Sequence, residues 1–499
     1  MIRIESERDP ERLRQIALLL RAENDRLHSR LAELARQLAE ARGEDAVRAL
    51  QLELKLLQEQ LAARNRTLFG ASSERRSRPA DDGQPKDEAR ARRGHGPRQQ
   101  PQLPLVEHVH VLDEPDRACP KCGGDLREWQ GQFEDSEEID VVERSFRIVR
   151  HRRQKYTCRC GECVETALGP PKLIPGGRYS VDFAVAVAVA KYADHLPLER
   201  QVKQMGRLGL EVDSQTLWDQ IHALWRHLDP TAQALHRLVL SAPVIAADET
   251  RWPLLDRPGS SKWWAWSVAS PEAISYRIED ARSAQAAARV FGDYAGCVVC
   301  DGYGVYPALR ETRIHQRAGP VFVLAHCWAH GRRKLIEAEP HYPKATEAID
   351  LIRKLYEIEA RARESGADVA EMRRTESAPV VEAIRQWLVG TAALPKSSLG
   401  KAITYMLGLW EGLTRFLSDP AIPLDSNSVE RGMRPVAVGR KNHYGSKSER
   451  GTRVAALFYT LIESAKLVGV EPAAYLAEAT RRAISNPGTV TLPRDLLDG

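Results

Sequence analysis

Pro243-Val-Ile-Ala-Ala-Asp248 is a short apolar run ending in an acid, and Gly296-Cys-Val-Val-Cys-Asp301 repeats that pattern. Runs this brief and this apolar fit strands buried on both faces. Between them, residues 262–268 and 273–278 read as strands and residues 281–291 as a helix. Residues 321–325 give another apolar strand, followed by His326. Trp263, Trp264 and Trp266 alternate between strand faces, as core and a covered face would require.

Three strands, a helix and further strands, with acids ending the first and fourth, suggest a ribonuclease-H-like α/β sheet. Carboxylates at neighbouring strand tips are rigidly held and can share divalent cations. Singly, each has a structural explanation: Asp248 can cap the segment after its strand, and Asp301-Gly302 is a good turn pair. A two-metal phosphodiester site needs a third acid, and Glu430 is the best candidate. It lies in Asp425-Ser-Asn427-Ser-Val-Glu430-Arg431, which opens a helix, although Asn427 and Glu430 also fit a capping box. Arg431, Arg434, Arg440 and Lys441 follow closely, offering cations for a phosphate strand beside an acid for metal. His326 and His330 sit four apart at a helix start without the Glu of a zinc protease. Phosphate contact, orientation of a carboxylate and packing all stay open for them.

The flanks add other textures. Leu13, Leu20, Leu27 and Leu34 are spaced by sevens, with Ala17, Asn24, Leu31 and Leu38 at the paired position, and Leu50, Leu54, Leu57 and Leu61 resume the pattern. A coiled coil fits, with Asn24 fixing register; a single amphipathic helix is the alternative. Arg75, Arg76, Arg78, Lys86, Arg90, Arg92, Arg93 and Arg98 then stand among Pro, Gly and Gln, as in a mobile tether or a DNA-backbone arm. Cys119-Pro-Lys-Cys122-Gly and Cys158-Arg-Cys160-Gly-Glu-Cys163 have zinc-ribbon spacing, with five thiols competing for four positions. Helices are expected over 180–192, 198–208 and 214–228, the third capped from Ser214-Gln215-Thr216-Leu217. They form a helix-turn-helix or, better, a connecting bundle.

The whole chain of 499 residues carries 73 Lys+Arg against 68 Asp+Glu, so a nucleic-acid case rests on local patches. The longest apolar run, 183–190, is too short for a membrane helix. A charged N-terminus argues against a secretory signal, and eight Cys in this length do not make a disulfide scaffold. A cytoplasmic, nucleoid-associated protein is therefore expected.

With these residues in view, the chain resembles the insertion-sequence 66 family of DDE transposases nearly end to end. Carrying the resemblance are Phe69-Gly-Ala-Ser-Ser-Glu74-Arg75, the Cys knuckles and Lys191-Tyr-Ala-Asp-His-Leu-Pro-Leu-Glu-Arg-Gln201. Ala247-Asp248-Glu249-Thr250, Asp301-Gly-Tyr303-Gly-Val-Tyr306 and His326-Cys-Trp-Ala-His330-Gly-Arg332-Arg333 continue it. Asn427-Ser-Val-Glu430-Arg431, Arg434-Pro435, Gly439-Arg-Lys-Asn442 and Glu463-Ser-Ala-Lys466 complete it. The extra Cys departs from the family pattern.

The resemblance implies three metal-binding acids at Asp248, Asp301 and Glu430, two Mg²⁺ ions, and cleavage of transposon ends followed by strand transfer. It also implies structural Zn²⁺ on four of Cys119, Cys122, Cys158, Cys160 and Cys163. DNA contacts fall on Arg431, Arg434, Arg440, Lys441, His326, His330, Arg332 and Arg333. A multidomain α/β chain is expected, its ribonuclease-H-like catalytic core bearing a helical insertion. A coiled coil (1–64), a basic linker (65–104), a zinc-ribbon-like module (105–172) and a helical, candidate DNA-binding segment (173–241) precede that core. The core begins over 242–334, is interrupted by the insertion (335–424), and resumes with the Glu-bearing helix and basic segment (425–450). Helices end the chain (451–499). At least a dimer is expected, since two ends must be held together, and small accessory proteins are implied. A nuclease that cuts without joining and a non-catalytic DNA-binding protein are the competing readings.

Overall fold

The computed structural model describes Ser29, Glu33, Arg36 and residues 145–157, 164–167, 169–255, 263–317 and 319–497. The chain divides into two units, Met1–Phe69 with Phe146–Gly499, and Gly70–Ser145; every described helix and strand belongs to the first. The expected basic linker and all five knuckle cysteines lie outside the described residues. So does the expected coiled coil, except that Ser29, Glu33 and Arg36 are helical.

A small antiparallel pair, β1 (Lys155–Thr157) and β2 (Val164–Thr166), leads into three helices. These are α1 (Val181–Tyr192), α2 (Leu198–Arg207) and α3 (Ser214–Ser241). The cap of α3 is Asp213 rather than Ser214, its side chain accepting the Thr216 N–H at 2.6 Å. The helix also runs thirteen residues beyond the expected end at Leu228 and straight through Pro230. Its buried stripe explains this: Leu224, Leu228, Ala232, Leu235 and Val239 keep helical spacing across the proline. Packing of that stripe outweighs the one backbone bond that Pro230 cannot make.

The sheet comprises β3 (Val244–Trp252), β4 (Trp263–Ala269), β5 (Ile274–Glu279), β6 (Cys297–Cys300) and β7 (Val323–His326). Helix α4 (Ala284–Phe291) joins β5 to β6, and α5 (Val305–Gln316) joins β6 to β7. The spatial order is β5-β4-β3-β6-β7. β3 pairs antiparallel with β4 and β4 with β5, while β3, β6 and β7 run parallel. All four β6 residues are buried, as its unbroken apolar run requires.

After β7 come α6 (Trp328–Ala338), α7 (Ala345–Ser365), α8 (Ala378–Gly390), α9 (Ser398–Gly408) and α10 (Trp410–Thr414). A π-helical turn, Arg373–Ser377, enters α8 and places Arg373 in the interior. Its guanidinium grips Glu359 of α7 at 2.7 and 2.9 Å and donates to the Phe416, Asp419 and Ile422 carbonyls. One side chain thus fixes the loop that brings the chain back to the sheet.

That return delivers α11 (Asn427–His443), then α12 (Glu449–Leu467) and α13 (Pro472–Ser485). Without side chains at Gly432 and Gly439, α11 lies close on the sheet at the first and close against α12 at the second. A Cβ at Gly432 would stand 2.3 Å from Ile274 Cδ1, and one at Gly439 2.1 Å from Tyr459 Oη. Helix α12 covers the exposed edge of β5, with Ser464 and Thr460 accepting the Ile274 and Tyr276 N–H groups at 3.1 and 2.9 Å. No helix among the described residues is long and apolar enough to cross a membrane.

Replacing Arg373 with Met leaves the Glu359 charge and three carbonyls without their partner. The expected cost is about 3–5 kcal/mol, read as a lowered urea midpoint. An unchanged midpoint would show that the return loop is fixed elsewhere.

Candidate active site

β3 and β6 are paired from Val244↔Cys297 to Ala246↔Val299. Carried two residues further, this parallel register sets Asp248 level with Asp301. Asp248 does not end its strand as the apolar run suggested. β4 keeps pairing with β3 as far as Trp252, so the antiparallel ladder outlasts the parallel one. Asp248 therefore sits where β3 parts from β6. Its Oδ1 accepts the Glu249 N–H at 2.8 Å. Asp301 Oδ1 accepts the Tyr303 N–H at 2.9 Å, and Tyr405 of α9 accepts the Gly302 N–H at 3.1 Å.

Glu430 arrives through the junction of α6 and α11. Ser426 donates its N–H to Cys327 Sγ at 3.3 Å, and the Trp328 N–H donates to the Leu424 carbonyl at 3.1 Å. The capping box open to Asn427 and Glu430 does not form. The helix begins at Asn427, whose backbone and side-chain amides both donate to Asp425. Glu430 is thereby left to point from the first turn toward α6. There Glu430 Oε1 lies 3.6 Å from His330 Nδ1, and Oε2 lies 3.5 Å from Arg333 Nη2.

Asp248 feels the other acids. Burial, chiefly, and then the charges of Glu249, Glu430 and Asp301 push the Asp248 carboxyl up to about 7. A divalent cation held at Asp248 would offset both the burial and the neighbouring negative charges.

Glu249 is a fourth acid that sequence reasoning passed over. It is buried, which raises its pKa, and it is held by the Tyr306 hydroxyl and the Arg282 guanidinium. Arg282 also lies over the Tyr303 ring at 3.5 Å and the Trp264 ring at 4.8 Å. It thus ties β3, β4 and the Asp301 turn together. The available signal was an Asp-Glu pair inside an apolar strand, where one charge must find a partner.

The basic candidates separate. Arg431, Arg434 and Lys441 are exposed along one face of α11. Arg440 instead donates to Thr250 Oγ1 at 2.9 Å and to the Arg251 carbonyl, which commits it to β3. On α6, Arg333 is exposed and Arg332 half-buried. His326 is half-buried, its Nδ1 3.9 Å from Cys300 Sγ and its ring against Gly412; burial lowers its pKa.

Comparison with known proteins bears on this site. A family model described as "Transposase IS66 family" matches residues 176–454, and one described as "zinc-finger binding domain of transposase IS66" matches residues 116–161. The uncharacterized protein y4jD of Sinorhizobium fredii is 34% identical over 413 residues, covering 79% of this chain and 80% of that protein. Uncharacterized protein y4qI of the same organism is 34% identical over 394 residues, covering 76% of this chain and 72% of that protein. Its protein y4hP, also uncharacterized, is 27% identical over 491 residues, 93% of this chain and 86% of that one.

A carboxyl raised on folding binds its proton more tightly in the native state. Its contribution is intact at acid pH and is lost as pH climbs from the ordinary aspartate range through about 7. In magnesium-free buffer, calorimetry should show the melting temperature falling between pH 5.5 and 7.5. Asp248→Asn should flatten that slope and stabilise the protein at pH 7.5 by on the order of 2 kcal/mol. An unchanged slope in the variant would assign the effect to another group.

Proposed function

Because this chain belongs to the transposase family of insertion sequence 66, we propose that it binds the ends of its element and catalyses DNA cleavage and strand transfer. The observation that carries this reading is the β3–β6 register that sets Asp248 level with Asp301, together with the charges of Glu430 and Glu249 bearing on the buried Asp248 carboxyl. Acids so distant in sequence, whose charges bear on one buried carboxyl, fit a divalent-metal pocket better than they fit separate caps. The strand order β5-β4-β3-β6-β7, with β4 alone running opposite to the other four strands, supports a ribonuclease-H-like core.

Asp248, Asp301 and Glu430 would hold two Mg²⁺ ions, which supply stabilisation of charge on the attacking and leaving oxygens. The protein's own part is positioning. Tyr405 and the Tyr303 amide fix the Asp301 turn, and Arg282 with Tyr306 holds Glu249 so that β3 keeps its path. The Leu424–Trp328 stitch presents Glu430. Arg431, Arg434 and Lys441 would lie along the phosphate backbone, with Arg333 beside Glu430. Water attacks the scissile phosphate in line and frees a 3′-hydroxyl, which next attacks target DNA; the chain forms no covalent bond to DNA. Four of Cys119, Cys122, Cys158, Cys160 and Cys163 would hold structural Zn²⁺ in the segment the zinc-finger model matches. A dimer or larger assembly through the heptads, accessory proteins of the element and a place at the nucleoid complete the proposal.

Asp301→Asn and Glu430→Gln should each lower magnesium-dependent 3′-end release from terminal inverted-repeat DNA on the order of a thousandfold, with unchanged circular dichroism. Full activity in either variant removes that acid from the site. Joining of a pre-cleaved end to plasmid separates a transposase from a nuclease that only cuts. Arg431→Ala, Arg434→Ala and Lys441→Ala should each weaken binding to DNA of any sequence. Each should also reduce the salt slope of log K by about one. A fluorescence-anisotropy salt series that leaves the slope unaltered would place the strand elsewhere.

A further inference from the structure

Beside the sheet acids, the α6–α11 junction gathers a thiol, an imidazole and a carboxylate. One donor atom from each of Cys327, His330 and Glu430 lies within 4.8 Å of the others. Cys327 stands just before α6 and His330 nearly one turn later, while the Ser426 amide that binds Cys327 Sγ opens the helix carrying Glu430. His330 Nδ1 and Glu430 Oε1 are buried, have no hydrogen-bond partner, and face each other at 3.6 Å. Buried polar atoms left this way are costly and ask for a shared partner.

We propose that Cys327, His330 and Glu430 form a second, soft-cation site that takes Zn²⁺, and that filling it withdraws Glu430 from the magnesium pocket. With nitrogen and oxygen ligands at about 2.0–2.1 Å, tetrahedral zinc spaces them about 3.3 Å apart, close to the gap already present. The sulfur excludes magnesium, which takes oxygen ligands in an octahedron, so the two sites divide the ions by chemistry. The Ser426 N–H already directed at Cys327 Sγ is an outer-shell bond of the sort that orients a metal ligand. Coordination deprotonates the thiol and releases its proton to solvent. Three protein ligands leave a fourth position for water. One carboxylate cannot serve both ions in full, so zinc acts as a brake. This consequence rests on the role proposed for Glu430; ion binding itself does not.

The test uses the full chain and Cys327→Ser, which keeps the size and an acceptor for Ser426. After equilibration with zinc and removal of the excess, elemental analysis should give one ion more per chain in the parent than in the variant. His330→Gln should lose the same ion, which guards against a folding defect in the first variant. Reconstituted with cobalt in place of zinc, the parent should show more thiolate charge-transfer absorption than Cys327→Ser. Equal ion content and equal spectra would overturn the site. At fixed magnesium, added zinc should inhibit DNA-end cleavage at least tenfold more in the parent than in Cys327→Ser. Equal inhibition overturns the withdrawal of Glu430. If neither protein cleaves DNA in magnesium, the transposase reading fails, while the ion count still decides the zinc site.

Discussion

Like charge held at the point where β3 separates from β6 is the constraint on which the rest of this structure depends. Carboxylates crowded at the end of a buried sheet repel, and a fold that tolerates them must resist letting them part. The resistance is visible on every side. The Glu249 carboxylate is locked by Arg282 and Tyr306, the Asp301 turn by its own Asx bond and by Tyr405, and the Asp248 segment by a β4 ladder that outlasts β6. Burial is what makes the proton affinity of Asp248 rise, and burial here is structural.

The helices between β7 and α11 serve this constraint. Their residues lie between β7 and Glu430 in sequence, yet they return the chain to the sheet beside its own departure point. Arg373 satisfies three loop carbonyls and one carboxylate at that return, and Leu424 then pairs with Trp328. A charged residue so buried is weak evidence for stability but good evidence for a fixed path, because any other loop geometry would strand its donors. Tyr405, from the same helices, reaches back to the Asp301 turn. This segment therefore steadies two of the acids that it separates in sequence.

How much of this was legible depended on the range of the interactions. β6 and the start of β3 announced themselves because a strand buried on both faces must be apolar throughout. The continuation of β3 to Trp252 did not, since Glu249, Thr250 and Arg251 look like a turn until Arg282 and Arg440 supply their partners. The last thirteen residues of α3 lie beyond the reach of local pattern, because the stripe that carries the helix through Pro230 is held by tertiary packing. The apparent capping box at Asn427 dissolved for a similar reason, with Asp425 taking both Asn427 amides and releasing Glu430. Arg440 belonged by composition to the basic stretch, and only its position over β3 distinguishes it from Arg431, Arg434 and Lys441. Short-range patterns located the elements; long-range polar partners decided which polar residues were committed.

Helix α11 shows why one segment can bear opposite charges without conflict. Side chains three and four residues apart share a face, and neighbours in sequence diverge by about 100°. Glu430 turns to α6 while Arg431, about 100° round the helix, faces solvent; Arg434, one turn beyond Glu430 on the same side, is exposed as well. The place of Glu430 in the first turn adds the favourable N-terminal end of the helix dipole, and Arg333 adds a cation at 3.5 Å. Its own helix and α6 thus both hold Glu430 in place, while burial raises the proton affinity of Asp248.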